Sequence, residues 1–238
     1  MTTHAADLTE RVFRLRDTIR LTPSVWDEPV LDDACSGNSE LLAAADELGD
    51  ATDPRISAES GIGSRLGLPA GFLLPVNDRL HSHIVNGAFI HPSDTSRFST
   101  RNRGAWYASD HLDGARAEVE HHRRQMFSEM DPVETSAYFP LTVGYSAWAS
   151  DITAQLHMID SSHRDVLDPN SVIASRALAS ELISLGSLGV HYPSVRAAGH
   201  SNVACFQPSI VQNVRLHEQF VVEWNTPGDA PIWASTAA

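Results

Sequence analysis

The sequence predicts a mixed α/β domain without regular βαβ repetition, because strand-like alternations and helix-spaced apolar stripes interleave irregularly along its 238 residues. Phe139, Leu141, Val143 and Tyr145 alternate as one face of a strand. Leu112, Ala115, Val119, His122 and Met126 recur instead at the spacing of one helix face. A composition of 42% hydrophobic and 20% charged residues is that of a globular chain, long enough to form one core without disulfides or structural metal.

Taken in order, Asp7 and Glu10 stand at capping-box spacing before Val12, Leu15 and Ile19, which predicts a helix over 8–20. A second helix fits 39–48, with Asn38 as cap and Gly49 as stop. The glycines and prolines of 61–75 predict irregular chain. Residues 104–108 read as a short strand, after which Asp110 caps a helix running to about Phe127. That helix leaves Arg116, Glu120 and Arg124 outside its apolar face, with Glu118 at the edge. A further helix over 171–185 stops at Gly186, and strands follow over 189–192, 202–206 and 219–224.

Lys and Arg number 17 against 30 Asp and Glu, and the formal net charge of −13 argues against general binding to nucleic acid or anionic membranes. No apolar run is long enough for a membrane span, and the N-terminal residues lack the regions of a signal peptide, so a cytoplasmic location is expected. Cys35 and Cys205 are far apart and predict two reduced, buried thiols.

Several motifs fail. Gly61, Gly63 and Gly67 miss the dinucleotide-loop spacing, since Leu66 stands where the third glycine belongs. There is no phosphate-cradling P-loop, and Gly144-Tyr145-Ser146-Ala147-Trp148 lacks the second glycine of a nucleophile elbow. Among 12 histidines, no pair has metal-protease spacing; His121 and His122 diverge by about 100° on a helix, which predicts that they do not share a site. No metal centre is expected.

The informative stretches are 86–122 and 189–208. Their blocks Ser96-Arg97-Phe98, Gly104-Ala105-Trp106-Tyr107-Ala108, Ala117-Glu118-Val119 and Tyr192-Pro193-Ser194 resemble, in order, those of the RES family. Ile19 to Ser24 and Thr52 to Arg55 resemble the N-terminal extension of longer members. The resemblance implies a single domain like the ADP-ribosyltransferase fold, with a split, mostly antiparallel sheet and flanking helices. It divides the chain into a helical extension over 1–75 and a catalytic domain over 76–238.

Its toxin members consume NAD, so the resemblance implies an enzyme that cleaves the nicotinamide–ribose bond with water or inorganic phosphate as acceptor. NAD is then a substrate rather than a cofactor. Protein ADP-ribosylation, or a weakened cleft that acts through a partner, are the alternatives. An Xre-type antitoxin and a homodimer are the implied partners.

Residue by residue, the resemblance assigns Glu118, Arg97, Tyr107 and Ser194 to catalysis, with Arg97, Tyr107, Ser194 and Asn202 contacting substrate. The chemistry suits these types. A carboxylate stabilises the positive charge that develops on ribose, and a guanidinium fork matches pyrophosphate oxygens. Arg101 and Arg103 are candidates to share Arg97's task, and a Tyr107 ring can stack on the ligand. One departure is that Ala88-Phe89-Ile90-His91 stands where many members carry an arginine in a "YR" strand. Arg79, Arg20 or His91 is left to supply that role.

Overall fold

A computed structural model describes residues 2–24, 67–75, 81–91, 93, 96–131 and 138–236. The expected helix over 39–48, Cys35, Arg79 and the 52–55 block lie outside them. The order is β1 (Thr9–Pro23), α1 (Ser82–Ile90), β2 (Trp106–Ser109), α2 (Leu112–Glu129), β3 (Leu141–Met158), α3 (Ile173–Ser184), β4 (Gly189–Pro193), β5 (Ser201–Cys205), β6 (Val211–Trp224) and β7 (Ile232–Ser235). No described helix is long and apolar enough to cross a membrane.

The strands form one mixed sheet of order β1-β2-β5-β4-β3-β6-β7, with β1 also paired to β3. Five strands therefore close into a ring, and β6 and β7 extend from it. The sheet splits along β3, whose one edge pairs with β6 over Leu141 to Ile152 and then with β4 at His157 and Met158. Only that β3–β4 pairing is parallel. This is the mixed α/β domain that the sequence predicts, with the mostly antiparallel sheet that the resemblance implies.

The expected helix over 8–20 is instead β1, which pairs with β3 from Thr9↔Met158 to Pro23↔Tyr145. Val12, Leu15 and Ile19 fit a helical spacing by coincidence of a bulge. The register jumps between Leu15 and Thr18, and Asp17 there has φ 52°. One extra residue in a strand shifts the faces that its side chains take. Phe13 and Leu15 consequently pack inside the ring, whereas Ile19 and Leu21 pack on its outside against α2. Asp151 fastens the bulge, accepting from Arg16 Nη1 at 2.6 Å and from the Asp17 backbone at 3.1 Å. Within the described part of the expected N-terminal extension, Thr9–Pro23 is thus a strand of the same sheet.

Trp106, Ile152, Leu156, Val203 and Cys205 fill the ring interior, and α1 closes it with Val85 and Phe89. Burying a side chain such as Phe89 fully is worth roughly 1.5–3 kcal/mol. The helix sits close on β2. Gly104 donates its backbone N–H to Phe89 O at 2.9 Å, and a Cβ at Gly104 would run into the Ala88 carbonyl. Two further cores lie outside the ring. Leu178, Ala179 and Leu182 of α3 pack on Val190 and Ala204, and Ala115, Val119 and Phe127 of α2 pack on Ala147, Phe220 and Trp224. Gly186, at φ 80°, follows the end of α3, as its sequence predicts.

Candidate active site

Between α2 and the outer face of the ring lies a cleft of about 360 Å³, completed by residues 169–172 ahead of α3. On α2 the residues facing it are Ala115, Glu118, Val119, His121, His122 and Gln125. This is one helical stripe, since His121 and His122 follow Glu118 at i+3 and i+4. The expectation that these two histidines cannot share a site is therefore corrected: 100° of divergence leaves both on the rim of a cleft this broad.

Glu118 is the only acid lining the cleft among the described residues. Its Oε1 accepts from Asn202 Nδ2 at 3.0 Å and from Ser194 Oγ at 3.4 Å. Alternation along β5 explains the first bond, because Val203 and Cys205 point into the ring and Asn202 points out. Ser194 does not line the cleft. Its hydroxyl accepts from Arg196 N at 3.2 Å and Ala197 N at 3.1 Å, so the turn after β4 holds it behind the carboxylate.

Tyr107 lines the cleft from β2, while its hydroxyl accepts from Phe98 N at 2.9 Å and meets Ser99 Oγ at 3.0 Å. Burial pushes its pKa up to about 12, so it is a neutral phenol that organises the preceding loop. Tyr192, also in the wall, is pushed well above the ordinary tyrosine value by burial and by the nearby Glu118 charge.

Three arginines supply positive charge. Arg97 is only 9% exposed, and its Nη1 donates to Val166 O at 3.2 Å and Ser171 O at 3.4 Å. It is thus a strut for the wall as well as a cleft residue. Arg20 enters at the seam between β1 and β2, donating to Tyr107 O at 3.3 Å with its guanidinium 5.0 Å from the Trp106 ring. Burial lowers its pKa to about 10, which still leaves it charged at neutral pH. Arg196 donates to Pro169 O at 2.6 Å.

Of the residues named for the missing upstream arginine, Arg20 lines the cleft and His91 is exposed outside it. The segment holding Ala88 to Ile90 is helical. Arg101 is exposed, and Arg103 donates to Phe206 O at 3.0 Å; neither lines the cleft. Sequence reasoning gave no role to Tyr192, although it stands in the block that was singled out, and missed Arg196 two residues beyond that block.

The cleft also contains unmet hydrogen-bonding capacity. Arg20 Nε, Arg196 Nε and Asn202 Oδ1 are buried without a hydrogen-bond partner. With one fixed carboxylate among three guanidinium groups, the cleft suits an anionic molecule carrying a centre that becomes positive during reaction.

The family model described as RES domain matches residues 76–225. Three chains of solved structure match. One, from the crystal structure of the M. tuberculosis MbcT–MbcA toxin–antitoxin complex, is 15% identical with a TM-score of 0.39, over 92% of this chain and 87% of that one. No curated protein matches the sequence.

Proposed function

Because the chain belongs to the RES domain family, we propose that it is a toxin-type enzyme that cleaves the nicotinamide–ribose bond of NAD in the cleft under α2. The observation that carries this reading is the Glu118 carboxylate, fixed by Asn202 and Ser194 in a cleft otherwise lined by Arg20, Arg97 and Arg196.

In this reading the pyrophosphate takes its charge partners from the arginines. Arg196 and Arg20 line the cleft, Arg20 with its guanidinium against Trp106, while Arg97 is partly committed to the wall carbonyls. Tyr107 offers flat surface to the rings of the ligand. As the bond between nicotinamide nitrogen and ribose breaks, its electron pair leaves with nicotinamide and positive charge grows on the sugar. Glu118 stabilises that charge. An oxygen of phosphate or water then bonds to the same carbon, giving ADP-ribose-1″-phosphate or ADP-ribose.

Arg20 also weighs against a weakened cleft, since it supplies the guanidinium that the 88–91 segment lacks. An Xre-type antitoxin that covers the cleft is the proposed partner. The test is incubation of the purified protein with NAD, in phosphate and in a non-nucleophilic buffer, with product identification. Nicotinamide release supports the reading, and the phosphate arm identifies the acceptor. Label transferred to an added protein would mark ADP-ribosylation, and NAD bound but intact would leave a binding module.

A further inference from the structure

We propose that His111, Asp113 and His200 form a surface site for one divalent transition-metal ion, apart from the cleft. One ligand atom from each lies within 4.8 Å of the others. The two imidazoles come from different segments, the start of α2 and the turn between β4 and β5, and already face each other with ring centroids 5.3 Å apart and planes at 20°. A tetrahedral ion with bonds of about 2.0–2.1 Å holds its ligand atoms roughly 3.3 Å apart. Closing that gap takes rotamer changes in side chains that are exposed or half-buried.

The surroundings prepare both imidazoles. His200 Nδ1 lies 3.1 Å from Asp110 Oδ1, and the other Asp110 oxygen accepts from Ser201 N and Ser201 Oγ, each at 2.9 Å. A carboxylate held in this way fixes one nitrogen of an imidazole and leaves the other for a metal. His111 Nδ1 accepts from Asp113 N at 3.2 Å, so its Nε2 is free to bind without uncapping α2. Two imidazoles and one carboxylate select zinc, nickel or cobalt over calcium or magnesium, which prefer all-oxygen shells.

Two effects oppose binding. The α2 N-terminus carries partial positive charge, and Arg116 stands 3.9 Å from Asp113. Asp110 and Asp113 offset the first, and in the second the half-buried Arg116, stacked over Phe220 and Trp233, reaches an exposed Asp113 only loosely. The site is therefore weaker than a closed structural zinc centre. Occupied, it ties the helix that carries Glu118 to the strand that carries Asn202.

The test is calorimetric titration of the full chain, freed of metal by chelator, with zinc chloride alone, beside melting curves with and without zinc. One ion per chain and a zinc-dependent rise in Tm are expected. His200→Gln and Asp113→Asn should each weaken binding by about tenfold or more and remove the rise. His163→Gln, which alters a separate histidine, should leave both unchanged. Far-UV circular dichroism checks that each variant is folded. Absence of binding to the parent chain overturns the proposal, as does unchanged binding in folded His200→Gln. Neither outcome bears on NAD cleavage.

Discussion

Asn202 donates its side-chain amide to Glu118 across 3.0 Å, so strand β5 and helix α2 meet at a single carboxylate. A neutral donor positions that carboxylate without neutralising it, which is what a stabiliser of developing positive charge requires.

Replacing Glu118 by Gln keeps size and helix propensity while removing the charge. We expect kcat for nicotinamide release to fall on the order of 10²-fold or more, with Tm nearly unchanged. Turnover at the parent rate would reduce Glu118 to a helix-edge charge.

Asn202→Ala leaves the carboxylate in place and removes its closest donor. The loss should appear in kcat, at roughly tenfold, with KM little changed. Stability should drop by about 1–2 kcal/mol, because a buried hydrogen bond is lost. A change confined to KM would make Asn202 a ground-state contact.

Arg97 and Arg20 separate in two measurements. Arg97→Ala deletes the donor to two wall carbonyls and should lower stability by roughly 2–3 kcal/mol in denaturant titration, besides weakening NAD binding. Arg20→Lys retains charge and loses the planar fork, so NAD affinity should fall about tenfold. An Arg97→Ala protein that melts with the parent would contradict the strut assignment.

His121 is held down to about pH 4 by burial first, then by the charges of Arg196, His122 and Arg97. Its folded pKa is depressed, so between pH 6.5 and about 4 the unfolded chain binds more protons than the folded one. Stability is then lost as pH falls through that window. His121→Gln should flatten the slope of Tm against pH there, and an unaltered slope would assign the acid sensitivity to other groups.

Short elements with local punctuation were the legible part of the fold. The helix carrying Glu118, the helix ending before Gly186 and the strands around Tyr192 and Asn202 follow from apolar spacing and turn residues. Strand β1 was not legible, since Val12, Leu15 and Ile19 satisfy a helical period and only pairing with β3 reveals the bulge at Asp17. The site divides in the same way. Residue types at Glu118, Arg97, Tyr107 and Asn202 indicated the cleft, but that Arg97 braces carbonyls, that Arg20 reaches in from β1 and that Ser194 stands behind the carboxylate depend on contacts distant in sequence.

The closed ring also fixes when the cleft can come into being during synthesis. Strand β1 is made before the other described strands, yet apart from Ser109 its partners, from Tyr145 to Met158, come much later, and β4 and β5 later still. Pairings this distant must wait for their second strand. A nascent chain that carries Arg20, Arg97 and Glu118 but has not reached Asn202 lacks the donor that fixes the carboxylate. If the protein drains NAD as proposed, that capacity arrives only once β5 has been made, and translation products interrupted before it are harmless.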